Sequence, residues 1–240
     1  MFRVTTFLAF ALLLLTPGAL RAAECIATVV EGLPEGVDPS IAEKLEPKHI
    51  KLTLADDQEL CQIWTTKTWM PITAEAEKKL AEPPPKEEED AAAKAAPVTY
   101  KIQPGSLVGV IQIANTAIDL RQQEIPAGTY TLRYAVQPTF EAHRDTHDTR
   151  DFLLLISPEK DASPEVRTDA DELIGASAES VGAPHPAFLP LVKSAAGDTQ
   201  SLLRPDERDP EGWVLRLEGK TADGKPVPME LIVLSAADSF

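Results

Sequence analysis

Histidine, cysteine and tryptophan are sparse in this 240-residue chain, so their positions carry weight. The densest polar run is His143-Arg144-Asp145-Thr146-His147-Asp148-Thr149-Arg150-Asp151. Two imidazoles four apart, with carboxylates between and beyond them, could hold a divalent metal; imidazole suits zinc, copper or nickel. On a helix that spacing would set both rings on one face. The flanking sequence instead reads as strand, loop, strand. His185, within Ala183-Pro184-His185-Pro186-Ala187, could supply a third ligand if the fold brings it near. The candidate metal set is therefore His143, His147 and His185, weighed against a solvated loop of paired charges. His49 stands alone and reads as a surface residue.

Other chemistry-bearing patterns are incomplete. His143-Arg144-Asp145 imitates a kinase catalytic triplet, but no Asn lies five residues on and no Gly-rich loop accompanies it. There is no HExxH and no GxSxG, and Gly175-Ala176-Ser177-Ala178-Glu179 lacks the closing Gly. With 38 acidic residues, no carboxylate pair can be singled out. Asp206 to Gly212 offers oxygen ligands for Ca²⁺ without the spacing of an EF-hand loop, and reads as a turn. Trp64, Trp69 and Trp213 could form a sugar platform. Trp64 and Trp213 fall in strand patterns that packing explains, which leaves Trp69 as the one to follow. No catalytic residue is nominated.

Two cysteines, Cys25 and Cys61, are the whole complement. In an oxidising compartment such a pair is most simply a disulfide. It would close a loop of roughly 36 residues and add about 3–4 kcal/mol. A lipobox is excluded, because Glu24 stands where a small residue is needed. A thiolate metal site is disfavoured, because the two do not form a CxxC pair.

The compartment follows from the first residues. Arg3 is followed by an apolar run from Phe7 to Leu15, a break at Thr16-Pro17-Gly18 and small residues from Ala19 to Ala23. That order predicts a secretory signal peptide over residues 1–23. The run is shorter than the roughly 20 apolar residues a spanning helix needs. The chain is therefore expected to be exported, periplasmic or extracellular, with no integral membrane segment after cleavage. Its net charge of -15 argues against nucleic acid, which requires clustered Lys and Arg. A hydrophobic content of 43% suffices for a packed core.

The elements that must position these residues are mostly strands. Ile26 to Val30 is a β-branched run, and Ile50–Leu54 with Glu59–Thr66 forms a hairpin. Glu75 to Pro97, rich in Ala, Glu, Lys and Pro, predicts a flexible solvated insertion; its triple proline would stop any helix from Thr73 to Glu82. Strands follow at Val98–Gln103, Leu107–Ile113 and Ile118–Arg121. In Gly128–Val136, Tyr130, Leu132, Tyr134 and Val136 alternate with Thr131, Arg133 and Ala135, as in a strand buried on one face. Phe152–Ile156 is a continuous apolar run. Arg167–Ser180, with Thr168 or Asp169 as cap, is the best helix. Pro184, Pro186 and Pro190 punctuate a loop, and Trp213–Leu217 pairs with Met229–Leu234 across Ala222–Lys225. Helices do not alternate with strands, so a parallel α/β sheet is excluded. The expected fold is all-β: an antiparallel β-sandwich, immunoglobulin-like or jelly-roll-like, with one short helix near 167–180. Residues 24–240 form a single domain carrying the insertion at 75–97.

Two stretches together, EIPAGTYTLRYAV at Glu124–Val136 and RDFLLLI at Arg150–Ile156, resemble a group of uncharacterised exported bacterial proteins of planctomycete and acidobacterial type. Those share a lead-in turn, a Tyr-x-Leu-Arg-Tyr strand, a polar His-containing loop and a Phe-Leu-Leu strand. Glu59–Trp64 and Ala183–Ala187 fit the same group. The resemblance implies a β-sandwich and no activity. The PAGTY turn is also similar to turns of fibronectin-like and immunoglobulin-like sandwiches, where the Tyr bonds back to backbone as a tyrosine corner. Tyr130 is the candidate here, behind the Gly128 turn. The expected function is that of a non-enzymatic binding or structural module of the periplasm or cell envelope, with an envelope protein or glycan as partner and no cofactor. The alternative is a divalent-metal-binding protein holding Zn or Cu in the His143/His147 loop.

Overall fold

Strands form where β-branched and aromatic residues alternate with polar ones, and Pro, Gly, Asn and Asp interrupt them at turns. The computed structural model describes residues 25–54, 57–82, 96–137, 149–194, 201–207 and 212–236. In chain order the elements are β1 (Cys25–Glu31), α1 (Pro39–Ala42), β2 (Lys48–Leu54), β3 (Glu59–Thr65), α2 (Ala74–Ala81), β4 (Leu107–Ile113), β5 (Ala117–Ile118), β6 (Glu124–Ile125), β7 (Gly128–Val136), β8 (Asp151–Ile156), α3 (Ala170–Val181), β9 (Phe188–Val192), β10 (Leu203–Pro205), β11 (Trp213–Lys220), β12 (Pro226–Ile232) and β13 (Ser235–Ala236).

The fold is all-β and antiparallel, as the sequence predicts. Ten strands make one sheet in the order β1-β2-β3-β4-β7-β8-β9-β12-β11-β10, which curls nearly closed into a barrel. The two layers of apolar residues are opposite walls of this one curled sheet. Between them lie Leu52, Ile63, Ile111, Leu132, Tyr134, Leu153, Leu189, Leu215, Met229 and Leu231, contributed by strands from β2 to β12. A small second sheet, β13-β5-β6, stands beside it.

Parts of the outer face are covered as well. Ile41 and Leu45, on and after α1, pack on Trp64, Leu107 and Val110. Leu173 of α3 packs on Leu154 and Ile156 of β8. α3 begins where the Asp169 side chain accepts from Glu172 N and ends at Gly182, in left-handed conformation with φ 66°. Both caps satisfy backbone groups that a helix terminus leaves open.

The curl is held by Trp69. Its indole N–H donates to Val108 O at 3.1 Å, and its backbone N–H donates to Lys220 O at 2.8 Å. Its ring lies over Gly219 of β11, where a Cβ would fall 2.3 Å from the ring carbon Cε3. Glycine at 219 is what lets a tryptophan bridge the β4 and β11 sides.

Four local expectations differ from the structure. Val98–Gln103 is extended but joins no sheet: Ile102 bridges Pro71, Ile72 N donates to Lys101 O at 3.0 Å and Gln103 N to Met70 O at 2.9 Å. Phe188–Val192, read as a proline-punctuated loop, is β9. Pro190 opposes Phe152 of β8, and β9 turns to β12 just beyond it, at Leu191 and Val192. The first part of the 75–97 insertion is helical: α2 is capped by the Thr73 hydroxyl, which accepts from Ala76 N, and it buries no side chain. Residues 83–95, like His143, His147 and the 1–23 signal segment, lie outside the described residues. Finally, β7 is buried on both faces, since Thr131 and Arg133 are as covered as Leu132.

Gly219→Ala is expected to destabilise the fold by about 1–3 kcal/mol through overpacking against Trp69. Urea unfolding followed by tryptophan fluorescence checks this; an unchanged midpoint would mean that the ring does not bear on β11.

Candidate functional site

At the end of the barrel where β7 stops and β8 starts, the sequence puts a carboxylate inside. Asp151 is buried. It accepts from Thr99 N at 2.7 Å, from Tyr100 N at 3.2 Å and from the Tyr134 hydroxyl. Residues 99 and 100 thus find in one carboxylate the acceptors that a neighbouring strand would supply. The Tyr100 hydroxyl donates to Val192 O at 2.6 Å and accepts from Glu230 N at 3.0 Å. Thr149 Oγ1 donates to Leu191 O at 2.5 Å. Arg150 N donates to Pro97 O at 3.0 Å, and Gln137 N to Arg150 O at 2.8 Å. Five stretches far apart in sequence are locked together at this rim.

Burial pushes the Asp151 carboxyl above the usual carboxylate range, against the pull of Tyr134, the two amides and Arg150. Burial likewise raises the Tyr134 and Tyr100 hydroxyls and lowers Arg150. Both phenols therefore stay protonated, as hydrogen-bond donors. Beside the rim, Glu230 is buried between cross-strand arginines: Arg204 Nη2 lies 2.7 Å from Oε2 and Arg216 Nη1 lies 3.6 Å from Oε1. Ser194 Oγ donates to Oε1 at 3.2 Å.

A second buried ionic group sits on the outer face of β7. Arg133 Nε and Nη2 grip Asp161 at 2.8 and 2.9 Å. Nη1 donates to Gly105 O at 2.9 Å and Glu165 O at 2.6 Å, and Nη2 also donates to Ser163 O. All five guanidinium donors are used. Thr131 Oγ1 adds a bond to Asp161. Gly105, at φ +82°, packs so close to Arg167 that a Cβ would fall 1.7 Å from its carbonyl oxygen.

The sequence candidates are distributed differently. His143 and His147 belong to residues 138–148, outside the described residues; the flanking Gln137, Thr149 and Arg150 are fixed at the Asp151 rim. His185 is exposed, and its carbonyl accepts from Gln123 Nε2 at 3.2 Å. It precedes β9, whose Phe188 opposes Leu154, so it lies toward the far end of the β8–β9 pair from Asp151. Among the described residues, no three His, Cys, Asp or Glu come together as metal ligands.

His49 is not a surface residue. It is buried, stacked on Trp64 with ring centroids 4.2 Å apart, and its Nε2 meets Gln62 Oε1 at 2.8 Å. Gln62 Nε2 continues to Glu59 at 2.7 Å, and Glu59 to Lys51 at 2.6 Å. Trp64 and Trp69 are buried and Trp213 is half-buried against the core, so the three form no open platform. The Tyr130 hydroxyl donates to Pro126 O at 2.8 Å, the back-bond of a tyrosine corner, and Gly128 opens β7 opposite Ile113. Asp206 N donates to Gly212 O at 2.9 Å, and residues 208–211 between them lie outside the described residues.

Cys25 and Cys61 are free, buried thiols that share one core on β1 and β3, with β2 between them. Burial pushes the Cys25 thiol up to about 11 and raises Cys61 further.

The residues that sequence reasoning missed are Tyr100, Asp151 and Glu230. Asp151 was within reach: it closes the polar run yet opens the apolar run FLLLI. Comparisons with protein families, curated proteins and solved structures each found no match.

Asp151→Asn is expected to cost about 1–3 kcal/mol, because an amide nitrogen cannot accept from a backbone N–H. Its pH dependence has a defined sign. A carboxyl raised in the folded state contributes stability that is full below its unfolded value, about 3.9, and lost as pH rises through the folded value. The advantage of wild type over Asp151→Asn should therefore be largest near that lower value and shrink as pH rises. A gap that widens with pH would mean that the three donors outweigh burial.

With the sulfurs as placed, Ellman's reagent should find almost no reactive thiol in the native protein and both cysteines after denaturation, since the thiolate is the reactive form. No thiol in either state would establish the disulfide that the compartment argument expects.

Proposed function

We propose that the chain is an exported, non-enzymatic module of the periplasm or cell envelope that binds a glycan or an envelope protein through loops at the Asp151 rim. The signal-peptide pattern of residues 1–23 supports export. The observation that carries the reading is the rim itself: Asp151, Tyr100, Tyr134 and Thr149 bond backbone or one another and fix the chain on both sides of the 138–148 connection. These groups act as a frame. A rigid scaffold presenting variable connections is the usual arrangement for recognition by loops.

A second reading, divalent-metal binding by His143 and His147, is favoured by the same frame. It holds the two ends of the His-bearing segment side by side, Gln137 N to Arg150 O at 2.8 Å.

One thermal-shift experiment separates the two. The exported protein is melted with Zn²⁺, Cu²⁺, Ni²⁺ and a glycan panel, beside a His143→Ala/His147→Ala double variant. A ligand that binds only the native state raises Tm. A glycan-dependent rise in both proteins is expected on the first reading. A metal-dependent rise in wild type alone would promote the second, and a flat response to every glycan would count against glycan recognition.

A further inference from the structure

We propose that β1 is a self-association strand, through which two copies of this chain pair edge to edge, antiparallel, about a two-fold axis at Thr28. β1 is bonded to β2 along its whole length, from Cys25 opposite Leu54 to Glu31 opposite Lys48. Its other side meets no strand and no further backbone hydrogen bond among the described residues. A bare edge is a template for another strand, and proteins ordinarily blunt it with Pro, Lys or short length.

The opposite edge of this sheet is blunted in that way. β10 has three residues, including Arg204 and Pro205, and Pro offers no N–H. β1 has seven residues, Cys-Ile-Ala-Thr-Val-Val-Glu, with no Pro, Lys or Arg. Of the five exposed large apolar side chains among the described residues, three lie on or just after it: Ile26 at 45% exposure, Val29 at 61% and Leu33 at 52%. Such clustering marks a contact surface more than scattered exposure does.

The occupant is a second copy because β1 complements itself. Pairing about Thr28 sets Ile26 opposite Val30, Ala27 opposite Val29 and Cys25 opposite Glu31. Apolar side chains then face apolar ones on both faces of the ladder, and Thr28 faces Thr28, a favourable cross-strand pair. The two Glu31 carboxylates fall at opposite ends, about 20 Å apart at roughly 3.4 Å per residue. Charge favours the same edge. A chain of net charge -15 repels its copy over most approaches. β1 carries one acid, and β2 places Lys48 beside it and Lys51 beside Thr28. The contact is isologous and closes at two copies. It stands or falls independently of any ligand of the rim loops.

The test uses protein recovered after export, with its N-terminus read by mass spectrometry. Sedimentation across a concentration series should show wild type moving from one chain to two. Thr28→Lys opposes two like charges at the axis and should remain a single chain throughout, with an unchanged melting temperature at low concentration. Under mild oxidation, Thr28→Cys should give a covalent dimer, while Lys225→Cys in the exposed β11–β12 turn should not exceed background. Wild type that stays monomeric at every concentration would overturn the proposal. So would a Thr28→Lys dimer, or a wild-type dimer in which Thr28→Cys fails to cross-link.

Discussion

The interaction on which the outer half of this structure depends is the buried pairing of Arg133 with Asp161. A guanidinium withdrawn from water is tolerated only when its donors are met, and here two carboxylate oxygens and three carbonyls meet all five. Those acceptors come from Gly105, Asp161, Ser163 and Glu165, so one side chain on a central strand fixes the β4 lead-in and the whole approach to α3. Leaving Asp161 buried without its partner would cost about 3–5 kcal/mol. The position of α3, and with it the burial of Leu154, Ile156 and Leu173, is downstream of that pair.

The same pair explains where the sequence was readable and where it was not. Alternation in Tyr130-Thr131-Leu132-Arg133-Tyr134 located β7 and its inward face, because apolar burial is periodic and local. It could not reveal that the outward face is buried too. That depends on an Asp twenty-eight positions on, and an Arg that meets five acceptors looks in sequence like one that meets water. Hairpins, the Asp169 cap and the apolar run of β8 were legible because each is decided by neighbours within a few residues.

The rim was illegible for the related reason that its bonds join distant stretches. Asp151 replaces a strand partner for Thr99 and Tyr100, so the β-like pattern of Val98–Gln103 was real while the place in a sheet it implied was not. His49 looked isolated because its partners, Trp64 and Gln62, come from the neighbouring strand of a hairpin whose register a list of histidines does not display. Pro190 read as a breaker, yet its missing N–H falls between the β8 and β12 pairings, where a ladder can absorb it. Of the metal candidates only His185 is among the described residues, and it lies toward the far end of the β8–β9 pair from Asp151 because antiparallel neighbours start at opposite ends.

A curled sheet whose seam is bridged by Trp69 over Gly219 takes part of its core from the β3–β4 connection, which supplies Trp69, Tyr100 and Ile102. At the Asp151 rim, bonds among the described residues join 97, 99, 100, 137, 191 and 230 around Thr149, Arg150 and Asp151. Among the described residues, β1 is the long strand whose hydrogen-bonding capacity the barrel leaves open on one side, and Glu31 is its one charged residue.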